Sequence, residues 1–360
     1  MNAIDNKLDT RAATRAKAAR ALATTPDDTA MLRAVVELTR DLVTARPRIY
    51  WPDLLASAAV AYAGIVVAIL ASQGWIAVLA GLVAALALYR ASSFIHELTH
   101  IRSGALPGFR VAWNLLIGIP MLMPSFLYEG VHTQHHAKTR YGTVDDPEYL
   151  PLALMKPWSL PLFVVVAIMM PVGLLLRFGV LAPLSLVLPP LRRAVVSSYS
   201  ALAINPSYRR KAPEGDLKRM WTWQETGASL WAIALLASPL ALGWRPLLVA
   251  MAILSVAAVV NQLRTLVAHL WENEGEPMTV TGQYLDSVNV PGPIAALWAP
   301  VGLRFHALHH LLPSMPYHSL PEAHRRITAH LGLDSTYARS THAGMLPLVA
   351  KIARSTMRVG

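Results

Sequence analysis

The sequence predicts an all-α integral membrane protein: two transmembrane helical hairpins, extra interfacial helices, and a cytoplasmic cap holding a histidine-rich di-metal site. Three observations carry that expectation. Of the 360 residues, 54% are hydrophobic and only 15% charged, whereas soluble domains carry roughly 25% charged residues. Uncharged apolar runs recur at lengths close to the ~20 residues a helix needs to cross the hydrocarbon. Eight of the 13 histidines fall into three clusters: His96 with His100, His132 with His135 and His136, and His306 with His309 and His310.

Residues 1–50 read as a cytoplasmic helical and amphipathic segment. They hold no apolar core followed by a small-residue cleavage site, so no signal peptide is expected and the N-terminus stays in the cytoplasm. Residues 10–25 are alanine-rich and polar, a surface helix. Met31, Leu32, Val35, Val36, Leu42 and Val43 form a helical stripe interrupted at Thr39, which predicts an amphipathic helix over 29–45, on the membrane or over the catalytic domain. Pro47 ends it. The membrane domain is expected over 51–330, with a cytoplasmic tail over 331–360.

Residues 54–72 make the first span, and 72–74 turn. The second runs from Trp75 to His96, covering roughly 30 Å at ~1.5 Å per residue, so the first histidine pair returns to the cytoplasmic side. Residues 111–127 are apolar but broken by Asn114, Pro120 and Pro124, which predicts a re-entrant or interfacial segment that keeps His132 beside His100. Residues 157–176 and 178–191, separated by Arg177, either cross as a pair or lie partly in the interface. Seven basic residues between Arg192 and Arg219 mark a cytoplasmic loop. A second hairpin leaves over 227–244 and returns over 247–263. His269 then stands at almost the same depth after Leu247 as His96 does after Trp75.

On a helix, positions i, i+3 and i+4 share a face, so His306, His309 and His310 can point three imidazoles at one spot, and His132, His135 and His136 repeat the spacing. Neutral imidazole suits iron, zinc, copper or nickel. With no cysteine in the chain, thiolate sites, iron–sulfur clusters and disulfides are excluded. One metal takes about four protein ligands. Eight clustered histidines plus His269 exceed that number but suffice for two ions. Two nitrogen-held metals beside an apolar bundle point to oxygen chemistry on a lipid chain, because side-chain acids and bases cannot cut an unactivated C–H bond. The net charge of +11 suits anionic lipid headgroups or an acidic protein, although positive-inside bias explains most of it. Nothing calls for nucleic acid.

H-x-x-x-H at 96–100, H-x-x-H-H at 132–136 and H-x-x-H-H at 306–310 resemble, in that order, the boxes of the membrane fatty acid desaturase and hydroxylase family. The tracts Arg140-Tyr-Gly-Thr-Val-Asp-Asp-Pro-Glu148 and His306-Ala-Leu-His-His-Leu-Leu-Pro-Ser-Met-Pro-Tyr-His318 resemble its bacterial members, and the likeness covers roughly 50–330. It implies a non-haem centre of two iron ions, with dioxygen as co-substrate and a fatty acyl or other lipid as substrate. It also implies electrons from NAD(P)H through a separate ferredoxin, rubredoxin or cytochrome b5-type carrier and its reductase. The location implied is the bacterial inner membrane, with the site on the cytoplasmic face.

Carried over, the catalytic metal ligands are His96, His100, His132, His135, His136, His306, His309 and His310, and His269 fits a ninth by position. Some relatives have an asparagine ligand one turn before that histidine, where this chain has Thr265; Asn261, Asn289 or water would have to substitute. Asp145, Asp146 and Glu274 are candidates to hold the far nitrogens of the ligands. His318, His324, His330 and His342 follow no ligand spacing and read as surface residues.

The reading is dioxygen-dependent desaturation of a fatty acyl chain, with a hydroxylase or ketolase acting on a lipid or carotenoid through the same centre as the alternative. A rival starts from His96-Glu97-Leu98-Thr99-His100, the H-E-x-x-H of zinc proteases, but leaves both H-x-x-H-H boxes idle. A histidine-rich metal carrier or haem protein would want acids or histidines inside the spans, which hold almost none.

Overall fold

A computed structural model describes residues 21–102, 104–152 and 155–356. Among them, all regular structure is helical apart from isolated bridges pairing Ser287 with His269, and Asn289 with Phe305 and Thr341. Of the expected surface helix over 10–25, residues 21–23 are helical and most of the rest lies outside the described residues. Helix α1, Thr29–Glu37, starts where Asp28 Oδ1 accepts from Met31 N–H at 2.9 Å, an N-cap that satisfies one free amide. Met31 and Val35 bury against Tyr284, Phe305 and Leu308, so α1 lies over the cap and not on the membrane. It ends at Glu37, short of the expected 45, and a separate 3-10 turn follows at Arg40–Leu42.

Helices α2, Pro47–Leu70, and α3, Gly74–Ser92, form the first hairpin. Pro47 occupies the first turn, where its missing N–H costs nothing. A Cβ on Gly64 would come within 2.9 Å of Ala80 O and Ala84 Cβ, which is how small residues let helices approach in a membrane. Helix α3 continues into α4, Phe94–His100, which carries the first histidine pair.

Helix α5, Phe109–Trp113, runs into a π turn at Asn114–Gly118. The buried Asn114 staples the reversal: Oδ1 accepts from Ser125 N–H at 2.8 Å, and Nδ2 donates to Arg110 O and Ser125 Oγ at 2.9 Å each. Trp113 Nε1 reaches Ala91 O at 2.8 Å. The chain therefore turns back without crossing, and α6, His132–His135, follows at the same end.

Among the described residues, five helices have the length and composition to cross a membrane. The third is a composite of α7, Ser159–Leu176, a π turn at Arg177–Leu181, and α8, Ala182–Ser185. It is followed by α9, Pro189–Ser198. At its start, Leu160 and Phe163 pack in one cluster with Trp271. At its far end Arg177 and Arg192 both grip Glu225, at 2.6 and 2.8 Å. Beyond α9, Leu202 N–H bonds Leu127 O and Arg210 N–H bonds Ser197 O, both at 2.9 Å, and Arg210 Nη2 reaches Glu129 O at 2.8 Å. Both flanks thus lie at the histidine-bearing end. The ten residues of α9 rise only about 15 Å, half a bilayer core. The stretch therefore begins and ends beside the histidine-bearing end.

The second hairpin is α10, Gly215–Leu242, and α11, Trp244–Leu266, joined at Gly243 with φ +70, a conformation a side chain would strain. Helix α10 begins well before the expected Gly227. The loop expected over 192–219 is therefore helical at both ends, in α9 and α10, and irregular between, with Arg210 buried there.

The cap holds α12, Val280–Asp286, α13, His306–Leu311, and α14, Leu320–Leu331. The last helix, α15, Met345–Thr356, packs onto this core: Leu348 clusters with Val267 and Val290, and Ile352 with Trp271.

Candidate metal centre

The nine histidines named from the sequence converge, but not one box to one spot. His96, His100, His132, His136 and His309 form one group, and His135, His269, His306 and His310 another; within each, the candidate ligand atoms lie within 4.8 Å of one another. Each H-x-x-H-H box is divided between the two. The reason is helical: i and i+4 differ by about 40° around the axis, whereas i+3 falls about 100° from i+4. Thus His132 and His136 go one way and His135 the other, and His306 and His310 part from His309. The expectation that three imidazoles of one box share a spot is corrected accordingly.

Ring nitrogens approach as close pairs: His132 Nε2 to His136 Nε2 3.0 Å, His136 Nε2 to His309 Nε2 3.1 Å, His269 Nε2 to His306 Nε2 3.0 Å, and His306 Nε2 to His310 Nε2 3.2 Å. Ligands held at right angles by metal–nitrogen bonds of about 2.1 Å stand about 3.0 Å apart. His96 Nδ1 and Nε2 and His100 Nε2 are enclosed without a hydrogen-bond partner, a debt that buried polar atoms rarely carry. Both observations fit a cation in each group. An all-imidazole donor set is compatible with iron, zinc, copper or nickel.

The outward nitrogens are held from behind, which fixes tautomers and leaves Nε2 facing inward. His132 Nδ1 contacts Glu148 Oε1 at 2.9 Å and Tyr128 OH at 2.8 Å. His135 Nδ1 contacts both oxygens of Asp146, at 2.9 and 3.0 Å, and Asp146 also accepts from Gly142 N–H and Glu148 N–H at 2.8 Å each. His269 Nδ1 meets Tyr141 OH at 2.8 Å, and that hydroxyl donates to Asp286 Oδ2 at 2.9 Å. His306 differs: its Nδ1 faces Arg264 Nη2 at 3.2 Å, and a guanidinium, which only donates, does not keep a proton on that nitrogen. Trp271, two residues past His269, holds φ +60 with its indole fully buried and Nε1 donating to Leu266 O at 2.7 Å. Such backbone strain in a bulky residue persists only where packing over-determines it.

Burial first, and neighbouring rings second, hold His132, His136, His269, His306, His309 and His310 well below the ordinary histidine value, so their lone pairs are free. His135 is the exception. Burial pushes it down, but the Asp146 carboxylate overrides that and raises it. Burial lifts Glu148 to about 7 and Asp286 to about 6.

Of the carboxylates proposed from sequence, Asp146 backs a histidine, while Asp145 and Glu274 are exposed. Glu148, Asp286, Tyr128, Tyr141 and Arg264 were not foreseen; Glu148 and Tyr141, in the same tract as Asp146, left a local signal. Asn261 is exposed. Asn289 is fully buried, but its Oδ1 accepts from Leu308 N–H at 3.0 Å, so it braces α13 and is not aimed at an ion. His330 is exposed as expected, whereas His318, His324 and His342 are half-buried in the cap, with Arg46 N–H and Tyr337 OH as partners of the first two. Glu97 is turned toward Tyr50 OH and Tyr317 N–H. The pair His96 and His100 stands among three further histidines, unlike the two-histidine zinc motif of a protease. Next to His100 a cavity of about 240 Å³ opens to the surface; a second, of about 10 Å³, lies beside Arg264 and His306.

A family model described as "Fatty acid desaturase" matches residues 73–341. The chain is 47% identical over 338 residues to a ceramide hydroxylase of Caulobacter vibrioides (strain NA1000 / CB15N), covering 92% of this chain and 96% of that protein. No solved structure matches the chain significantly.

Proposed function

Because the chain belongs to the fatty acid desaturase family, membrane enzymes that act on lipids, we propose that it hydroxylates a hydrocarbon chain of a ceramide-type amide lipid. Desaturation of a fatty acyl chain by the same centre is the second reading. The observation that carries the proposal is the pair of histidine groups beside a cavity at one end of an apolar bundle. The near full-length likeness to a ceramide hydroxylase favours oxygen insertion over double-bond formation.

The nine histidines would hold two iron ions, which with dioxygen supply the oxidant that an unactivated C–H bond requires. In hydroxylation a C–H bond becomes C–OH and the other oxygen atom leaves as water, consuming two electrons and two protons. In desaturation two C–H bonds are lost, a C=C bond forms and both oxygen atoms leave as water, for the same two electrons and protons. Those electrons come from NAD(P)H through a separate carrier. Asp146 and Glu148 keep a proton on the outer nitrogens of His135 and His132 and so aim the inner ones. Burial of the rings excludes water from the reacting centre. The exposed Arg209, Lys211, Lys218 and Arg219 lie at the histidine-bearing end, which supports a cytoplasmic site by the positive-inside rule.

The test is turnover of ceramide in lipid nanodiscs with NADPH, a carrier, its reductase and isotopically heavy dioxygen. Gain of one heavy oxygen atom in the lipid supports hydroxylation; loss of two hydrogens without it supports desaturation. Elemental analysis accompanies it, and one zinc with no iron would sink both readings.

A further inference from the structure

The cavity beside His100 lies between residues 43–45, which follow α1, and residues 314–316 of the third-box loop. Of the nine histidines only His100 lines it. Its volume of about 240 Å³ is below the roughly 300–1,000 Å³ of pockets that enclose a whole drug-sized ligand, so it takes part of a lipid. Thr44, Arg102 and Ser314 stand exposed at the mouth, while Tyr50 and Glu97 line the interior.

Glu97 is the unexplained group. It is 4% exposed, and both its hydrogen bonds, from Tyr50 OH and from Tyr317 N–H at 3.1 Å, fall on Oε2. Among the described residues neither of those bonds falls on Oε1, which lies 4.0 Å from His96 Nδ1. That is outside hydrogen-bond range, unlike the 2.9 Å at which Glu148 and Asp146 hold their histidines. Glu97 is therefore not placed to back a ligand as they do. Glu97 lines the cavity, and a carboxylate oxygen there that takes neither of the residue's two hydrogen bonds is open to a donor from a ligand.

We propose that this cavity receives the polar head of the lipid, with Glu97 Oε1 accepting a hydrogen bond from a hydroxyl or amide N–H on it. Oxidation then falls within the first few carbons from the head and not in mid-chain. The inference rests on the hydroxylase reading. Helix α4 sets the distance, since Glu97 lies between His96 and His100 and a head anchored there is within a few ångströms of the five-histidine group. The step is the hydroxylation balanced above: C–H to C–OH, with dioxygen as oxidant and the carrier's two electrons completing water.

The experiment compares ceramide with analogues whose head hydroxyl is O-methylated or whose amide is N-methylated, on the iron-loaded enzyme and on Glu97→Gln, with the product's oxygen located by tandem mass spectrometry. Oxygen near the head is expected, with KM about tenfold or more higher for the capped analogue that loses the contact, as for a hydrogen bond to a charged group. Glu97→Gln should raise KM for ceramide by a similar factor, keep its iron, and add little further effect on that analogue. Oxygen in mid-chain, equal KM for capped and free heads, or an equal effect of the variant on both overturns the proposal while leaving hydroxylation standing. Absence of any oxygenated lipid overturns hydroxylation itself. If Glu97→Gln does not fold, the analogue series on the unaltered enzyme decides alone.

Discussion

The five-histidine and four-histidine groups draw on the same boxes but are supported differently. In the four-histidine group, His135 and His269 are held from behind, by Asp146 and by Tyr141 with Asp286, while His306 Nδ1 faces the guanidinium of Arg264. In the five-histidine group His132 has Glu148 and Tyr128, but His96 keeps both ring nitrogens without a partner. The five-histidine group faces a cavity of about 240 Å³ through His100, and a cavity of about 10 Å³ lies beside the four-histidine group at His306. One group is fixed tightly by its surroundings. The other has a ligand to spare and faces the cavity. The difference teaches that equivalent motifs need not make equivalent sites, because the elements packed behind them differ.

The comparison breaks most readily at His269. His269→Ala leaves the four-histidine group three ligands, and metal is expected to fall from two ions per chain toward one, with turnover lost. Elemental analysis and oxygen consumption check it. Full metal with near-normal turnover would make His269 an ordinary buried residue. His330→Ala, on an exposed site, should change neither.

The carboxylates sharpen it next. Loss of a group that orients a metal ligand typically costs about 10- to 100-fold in affinity. Asp146→Asn should lie toward the upper end, because that fully buried carboxylate holds His135 and two backbone amides together. Glu148→Gln should cost less, since Tyr128 remains on His132. Chelator competition gives the order, and the reverse order would refute the greater rigidity assigned to the four-histidine group.

Arg264 gives a smaller effect with a definite sign. Its guanidinium places a positive charge 3.2 Å from His306 Nδ1, which favours the more reduced state of a nearby ion. Arg264→Met should retain metal and show a lower reduction potential in a redox titration. An unchanged or higher potential would mean that Arg264 acts through packing alone.

The smallest effect concerns electron delivery. If an acidic carrier docks on the exposed Arg209, Lys211, Lys218 and Arg219, turnover at limiting carrier should fall as salt rises, because such attraction is screened beyond a Debye length of ~8 Å at physiological ionic strength. Arg210 is buried on the carbonyls of Phe126, Ser200 and Glu129 and cannot take part. No salt dependence with the native carrier would count against docking by charge.

The sequence by itself determined the all-helical membrane class, the two hairpins, the reversal at Asn114 and the nine histidines that converge. These are local properties: apolar run length, proline and asparagine interrupting a run, and imidazoles recurring at helical spacing. Only the tertiary structure decided how each H-x-x-H-H box divides between two groups, since a motif gives angles around a helix but not which neighbour waits on each side. It also decided that both flanks of residues 159–198 lie beside the histidine-bearing end, since Arg177 and Arg192 meet Glu225 across a long stretch of chain. The partners behind the histidines were illegible for the same reason. Tyr141 reaches His269 and Asp286, and Arg264 reaches His306, across long stretches of chain. Glu97 gave a misleading signal, since H-E-x-x-H names it a protease base while folding turns it onto Tyr50 and the cavity. Spacing along a chain sets what a side chain is able to face; packing of distant elements sets what it faces.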